Sequence, residues 1–288
     1  MKGYLIVNSF ISSQKFSDIY AALTHAARSE GIRLEIKSSA DMLCEVGSGF
    51  SGIALPDFVL FWDKDIYLAK MLEACGIRLF NSARTVELCD DKALTAIALD
   101  AAGIPSPKTI IAPKTFEGVG YNDLSFLDTA ADTLGFPLVI KEVCGSFGQQ
   151  VYLAHNIEEA RSIVSKIANK GFIMQKFISE SEGRDIRVNV VGDKVVASMM
   201  RYNEQDFRSN VTNGGKTKQI DISPEEERVA LDACRAVGAD FAGIDLLFGK
   251  DGPLVCEINS NPHFKSTLEC TGVDMSIYVL SHIMESLK

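Results

Sequence analysis

Short apolar runs at residues 4–8, 32–37, 58–61 and 77–80 are separated by segments with helical spacing. Residues 17–30 carry Ile19, Leu23 and Ala27 on one stripe and stop at Gly31, and residues 64–74 resume that spacing and stop at Gly76. Strands that alternate with helices in this way require right-handed crossovers and a mostly parallel sheet. The spacing therefore predicts a small α/β domain up to about residue 85. The residues after its first strand, Asn8-Ser9-Phe10-Ile11-Ser12, lack the G-x-G-x-x-G of a dinucleotide fold, which argues against a dehydrogenase.

The rest of the chain reads differently. A helix is predicted over residues 90–102, opened by Asp90 or Asp91 and stopped at Gly103 before Pro105. Residues 114–122 read as a loop and 125–134 as a helix. Residues 136–141 start a strand with Pro137 at its edge, residues 145–148 form a glycine turn, and 149–154 form a strand. A helix at 157–170 and a strand at 172–178 follow. Residues 184–191 and 194–201 alternate as strands around Gly192-Asp193, a hairpin signal. Residues 224–237 form a helix capped by Ser223 with Pro224 in its first position. A second hairpin joins 241–248 to 254–259, and a helix at 275–287 comes last.

Composition narrows the function classes. With 288 residues the chain suggests about two domains. Its 29 basic and 38 acidic residues give a net charge of -9, which argues against nucleic acid as the main partner. The seven cysteines are odd in number and show no C-x-x-C, so neither a disulfide framework nor a structural zinc site is expected. The N-terminus turns polar too early for a signal peptide, and no apolar run reaches the roughly 18 residues of a membrane span. A cytoplasmic protein with no membrane partner is expected.

Individual signals are ambiguous. Gly243-Ile244-Asp245-Leu246 and Val255-Cys256-Glu257-Ile258-Asn259 would bring two carboxylates and a carboxamide together if they pair as a hairpin. Hard oxygen ligands of this kind suit magnesium beside phosphates, and a solvated edge hairpin is the plainer alternative. Lys141 followed by Gly145-Ser146-Phe147-Gly148 could approach phosphate, or could be an ordinary turn. Asp185 and Arg187 share a strand face, as solvated charges also do. Arg201, Arg208, Ser209 and Asn210 near Gly214-Gly215 suit an anion clamp or a surface loop.

Their order is specific. From about Asp91 to the end, the sequence resembles the ATP-grasp superfamily, and within it the RimK-type carboxylate–amine (alpha-L-glutamate) ligases. The resemblance rests on Asp91-Lys92, Pro137-Leu138-Val139-Ile140-Lys141, Gly145-Ser146-Phe147-Gly148, Gln175-Lys176-Phe177-Ile178, Gly183-Arg184-Asp185-Ile186-Arg187, Phe207-Arg208-Ser209-Asn210, Gly243-Ile244-Asp245 and Glu257-Ile258-Asn259. It implies an ATP-grasp fold, α/β overall with α+β grasp lobes, behind an N-terminal pre-ATP-grasp domain. The expected units are residues 1–88, 89–178 (the central lobe with the glycine loop) and 179–288 (the lobe with the metal site).

The resemblance also implies roles. Lys92, Lys141, Gly145, Ser146 and Gly148 would contact nucleotide phosphates. Gln175, Lys176, Phe177 and Ile178 would flank adenine, and Asp185 would bind ribose. Arg208, Ser209 and Asn210 would reach the triphosphate, and Arg201, Arg208 and Asn210 would serve catalysis. Asp245, Glu257 and Asn259 would hold two magnesium ions, with manganese as a substitute. ATP would convert a carboxylate on a small molecule, peptide or protein to an acyl-phosphate, which the amine of an amino acid such as glutamate attacks. Another ATP-grasp biosynthetic or dipeptide ligase, or an inactive nucleotide-binding module, are the alternatives, and a homo-oligomer is left open. Asp245→Asn and Glu257→Gln are expected to stop phosphoryl transfer with folding intact.

Two places depart from the family pattern. Gln150 stands where the glycine loop usually has another glycine. After Asn259 the chain runs Ser260-Asn261-Pro262-His263-Phe264-Lys265-Ser266 instead of small residues and glycine. His263 and Lys265 are expected to read an acidic substrate or limit its size, with a helix-capping turn as the alternative.

Overall fold

The computed structural model describes residues 1–116, 118–145, 148–167, 170–211 and 214–288. The chain begins with β1 (Lys2–Val7), α1 (Gln14–Ser29), β2 (Arg33–Ser38), β3 (Phe58–Trp62), α2 (Ile66–Ala74) and β4 (Arg78–Phe80). The strands pair in parallel in the order β2-β1-β3-β4. Alternate residues of β1 face opposite layers: Leu5 and Val7 pack in one core with Ile19 and Leu23 of α1, Tyr4 and Ile6 in another with Leu68 and Leu72 of α2. Both faces are covered, so the strands read as continuous apolar runs.

Next come α3 (Ala83–Asp90) and α4 (Lys92–Ala101). The sequence predicts one helix here and does not anticipate α3. No glycine or proline separates the two. Asp91 ends α3 and caps α4, accepting from the backbone N–H groups of Ala93 and Leu94 at 2.8 and 3.1 Å.

The middle of the chain gives β5 (Thr109–Ile111), α5 (Phe126–Leu134), β6 (Leu138–Glu142), β7 (Val151–Ala154), α6 (Ile157–Ile167) and β8 (Phe172–Lys176). Its antiparallel sheet runs β5-β8-β6-β7, and Leu127, Val164 and Phe172 anchor its own buried core. The last part gives β9 (Arg184–Val191), β10 (Lys194–Tyr202), β11 (Lys216–Gln219), α7 (Pro224–Val237), β12 (Phe241–Gly249), β13 (Gly252–Asn259), α8 (Lys265–Thr271) and α9 (Met275–Ser286). This sheet is antiparallel in the order β11-β10-β9-β12-β13. Helix α7 has the predicted bounds: Ser223 Oγ accepts from Glu226 N at 3.2 Å, and Ser223 N donates to the Glu226 carboxylate at 2.6 Å. Among the described residues no helix is long and apolar enough to cross a membrane.

The first and last sheets share a core. Trp62 stacks on Phe241 at 5.5 Å, and α9 contributes Met275, Val279, Leu280 and Ile283 to the layer beneath α1. Asn81 adds polar ties, donating to the carbonyls of Phe241 and Ser260 at 2.9 and 2.8 Å and accepting from Asp240 N at 2.7 Å. Cys89, Leu99 and Ile104 pack into the last sheet's other core, with α7. The central lobe keeps a core of its own and faces the last sheet across a cleft.

Candidate active site

The adjacent strands β10, β9, β12 and β13 present one row of charge. Arg201 lies opposite Asp185, Asp245 opposite Arg187, and Glu257 opposite Asp245. The predicted convergence of the two carboxylates is therefore in the ladder itself, and Asn259 lies opposite Gly243 beside them. Arg187 donates Nε and Nη2 to Asp245 at 2.5 and 3.1 Å. Arg201 reaches Asp185 through Nε and Nη2 at 2.7 and 2.5 Å, and Asp245 through Nη2 at 2.9 Å. Burial opposes the charges of Arg201 and Asp245, but their partners win: Asp185 and Asp245 hold the Arg201 guanidinium above its ordinary range, and Arg187 and Arg201 hold Asp245 below the usual carboxylate range.

The central lobe brings cations to this row. Lys141, buried on β6, donates to Cys256 Sγ at 3.4 Å, and burial pushes that thiol's pKa up against the pull of the ammonium. Lys92 opens α4, donates to the Gly145 carbonyl at 3.2 Å and lies 3.9 Å from Glu257. Asp206 grips Arg208 through Nε and Nη2 at 3.0 and 2.7 Å, and Arg208 Nη1 donates to the Gly148 carbonyl at 2.7 Å. That bond ties the glycine loop to the last lobe. Ser146 lies outside the described residues. A Cβ on Gly145 would meet Gln150 Oε1 at 2.5 Å, so Gln150 folds over the loop where the family pattern has a glycine.

Two cavities flank the charged row. The cleft between the lobes encloses about 110 Å³ and is lined by Lys141, Gly148 and Asp185, by Gln175, Lys176, Phe177 and Ile178, and by Arg208 and Ser209. Gln175 Nε2 donates to Thr109 Oγ1 at 2.9 Å, and Lys176 N donates to the Lys108 carbonyl at 2.9 Å, which fixes the strand that crosses between lobes. The second cavity, about 590 Å³, lies between the N-terminal sheet and the last lobe, with Asn259, His263 and Lys265 on its wall. Arg201, Asn210, Asp245 and Glu257 line both cavities.

Residues 89–283 match the RimK-like ATP-grasp domain. The chain belongs to the RimK-like ATP-grasp family. It is an ATP-grasp carboxylate–amine ligase. An uncharacterized protein of Mycoplasma pneumoniae is 31% identical over 268 residues, covering 91% of each chain. A probable alpha-L-glutamate ligase of Trichodesmium erythraeum is 34% identical over 223 residues, covering 76% of this chain and 72% of the relative. The crystal structure of a RimK domain ATP-grasp protein from Sphaerobacter thermophilus superposes with a TM-score of 0.75 at 18% identity, covering 98% of this chain and 99% of that one.

ATP-grasp ligases use ATP and divalent metal ions, and the residues here fit such an ion. Among the described residues no cluster of three or more His, Cys, Asp or Glu side chains could hold a metal alone. Magnesium, however, needs only one or two carboxylates when phosphate oxygens complete its shell. The Glu257 side chain is 30% exposed. Asn259 donates Nδ2 to the Gly243 carbonyl at 3.3 Å, which leaves its own carbonyl oxygen for another partner. Asp245 already accepts from both arginines, but a carboxylate offers about four lone-pair directions.

The segment after Asn259 lies on the wall of the larger cavity. The Lys265 side chain is 49% exposed and its ammonium is engaged by Asp18 at 2.8 Å on the cavity rim. His263 packs edge-on against Phe16 at 4.5 Å, and burial, with Lys15 and Arg187 nearby, pushes its pKa down to about 3. It is therefore a neutral wall residue. The helix after it is capped by Phe264 with no side-chain cap bond. The sequence reading misses the N-terminal side of this cavity, where Asn8 and Asp63 follow β1 and β3. A polar residue directly after a buried apolar strand was the available signal.

Proposed function

We propose that this ligase activates a carboxylate with ATP and joins it to the amine of an amino acid such as glutamate. The observation that carries this reading is the wall of Arg201, Asn210, Asp245 and Glu257 shared by the interlobe cleft and the larger cavity. A phosphoryl group passing from nucleotide to acceptor has to cross such a wall. In this reading ATP occupies the cleft, with adenine beside Lys176 and Phe177, ribose near Asp185, and phosphates near Lys92, Lys141 and the loop of Gly145, Ser146 and Gly148. Arg208, Ser209 and Asn210 orient the γ-phosphate, and Arg208 carries the loop with it. Asp245, Glu257 and Asn259 would hold two magnesium ions, which manganese could replace. When bound, they neutralise phosphate charge as it builds in the transition state.

The protein's own work is positioning and charge neutralisation. Arg187 and Asp185 keep Asp245 and Arg201 in fixed rotamers, so the charged row is ordered before substrates arrive. The acceptor occupies the larger cavity, where the acyl-phosphate meets the amine. We place the reaction in the cytoplasm and divide the chain into units 1–88, 89–178 and 179–288. Release of ADP, screened over amino acids and acidic acceptors with mass spectrometry of the product, tests the proposal. ADP release that depends on both an amine and a carboxylate supports it. No release with any pair counts against it.

A further inference from the structure

The larger cavity has one wall from the N-terminal sheet and one from the last lobe, and Asn261 Nδ2 ties them by donating to the Asp63 carbonyl at 3.0 Å. Around it, Asp18 is held by Lys265 at 2.8 Å, Asp90 by Lys64, and Asp245 by Arg187 and Arg201 at 2.5 and 2.9 Å. Glu257 and Glu269 also line it. Lys15 lines the same cavity, half-buried in the first turn of α1. Three features oppose its charge. Burial comes first and the Arg187 guanidinium second, and together they lower its pKa. The positive end of the α1 dipole is the third, since that turn carries no acidic residue.

Lys15 belongs to a patch of basic groups. Arg187 gives Nε and Nη2 to Asp245, and neither bond uses Nη1. A Cβ on Gly243 would meet that Nη1 and the Pro262 Cβ, each at 3.0 Å, so the end of Arg187 lies beside the segment that carries His263. His263 packs edge-on against Phe16, the neighbour of Lys15 on α1. Lys15 and Arg187 both act on the His263 ring, which stays neutral. Two cations on one wall of a cavity repel each other, and an anion seated on both gains charge-assisted hydrogen bonds and offsets that repulsion. The substrates narrow the choice of anion. In the ligase reading the acceptor's carboxylate becomes an acyl-phosphate, and the amino acid's amine has to stay unprotonated to attack it. The amino acid's own α-carboxylate passes through the reaction unchanged, so a fixed cation can hold it throughout.

We propose that Lys15, together with Arg187, binds the α-carboxylate of the amino-acid substrate in the larger cavity and leaves its amine free as the nucleophile. This rests on the ligase reading above and names the group by which the amino acid is held. It also gives helix α1 a part in substrate selection, since Lys15 lies outside the matched residues 89–283.

The test is calorimetric titration of the whole protein, loaded with ADP and magnesium, with each of the twenty common L-amino acids and with their α-carboxamides. The expected result is saturable binding of at least one amino acid, with its α-carboxamide about ten- to a hundredfold weaker, as loss of a charge-assisted hydrogen bond implies. Lys15→Met should weaken the free acid by a similar factor and leave the α-carboxamide nearly unchanged. Lys15→Arg, which keeps the charge, should recover part of the loss. Equal binding of acid and carboxamide, undiminished binding by Lys15→Met, or no binding of any amino acid would overturn the subsite. If Lys15→Met unfolds, the acid and carboxamide compared on the unaltered protein and on Lys15→Arg decide it. ADP release read in parallel separates the two ideas. Amino-acid binding through Lys15 without ADP release from any pair removes the ligase reading alone. ADP release in which Lys15→Met raises the KM for the carboxylate acceptor and not for the amino acid removes the subsite alone.

Discussion

Arg187 and Asp245 face each other across the β9–β12 ladder, joined by two hydrogen bonds at 2.5 and 3.1 Å in a place where both are buried. Arg201 adds a third bond to Asp245 at 2.9 Å. Asp245→Asn would leave two buried guanidinium groups short of charge, so it is expected to cost about 3–5 kcal/mol of folding stability as well as activity. Folding intact in that variant, expected from sequence, is replaced by this expectation. Glu257→Gln is the cleaner test, because its side chain is 30% exposed. Denaturant unfolding should show near-normal stability for Glu257→Gln, with ADP release lost. Equal stability of the two variants would contradict the role given to the Arg187–Asp245 pair.

Asp206 holds Arg208 in the orientation that reaches Gly148. Asp206→Ala is expected to raise the KM for ATP about five- to tenfold, through loss of a hydrogen bond that positions the loop. The KM for the amino acid should change less. A variant with an unchanged KM for ATP would show that the Arg208–Gly148 contact is incidental to nucleotide binding.

His263 sets a limit on acid stability. Its folded pKa of about 3 lies below the ordinary 6.5 because of burial first, and then the nearby Lys15 and Arg187 charges. As pH falls through 6.5 the unfolded chain takes a proton and the folded chain does not, so stability is lost progressively from about 6.5 down to 3. Between pH 7 and 5 the loss from this one ring is about 1–2 kcal/mol. His263→Gln should flatten that part of a denaturant-midpoint profile. An identical profile in the variant would mean that the ring reaches solvent.

Lys265 binds Asp18 at the rim, with its side chain 49% exposed. Exposed pairs contribute at most about 1 kcal/mol. Lys265→Ala should therefore leave thermal stability and the KM for ATP near their starting values. A large rise in the KM for the acidic acceptor would support the substrate-reading role expected from sequence, and an unchanged value would remove it.

Where local chemistry dominates, the elements were legible. Ser223, Pro224 and Glu226 specify the start of α7, and the apolar runs of β1 and β3 specify a covered parallel sheet. Where one element runs into the next, they were not: Asp91 serves both α3 and α4, so no breaker separates them. Strand β11, Lys-Thr-Lys-Gln, has no apolar period and exists because β10 offers it an edge.

The charged row was legible because Asp245 and Glu257 belong to one hairpin, with partners set by short-range register. The arginine partners were less so, since the same alternation of Asp185 and Arg187 describes a solvated strand. Asp63 and Asn261 could not be paired from sequence. They are 198 positions apart and meet only because the first and last sheets share a core.

The wall common to both cavities has a pharmacological consequence. A single compound that carries a nucleotide in the cleft and an amino acid in the larger cavity, joined by a tetrahedral link beside Asp245 and Glu257, would occupy both at once. Its second half would bind at a high effective concentration, with translational freedom lost only once. Selectivity among grasp enzymes would then come from the half that meets the N-terminal sheet, because that half touches side chains outside the matched domain.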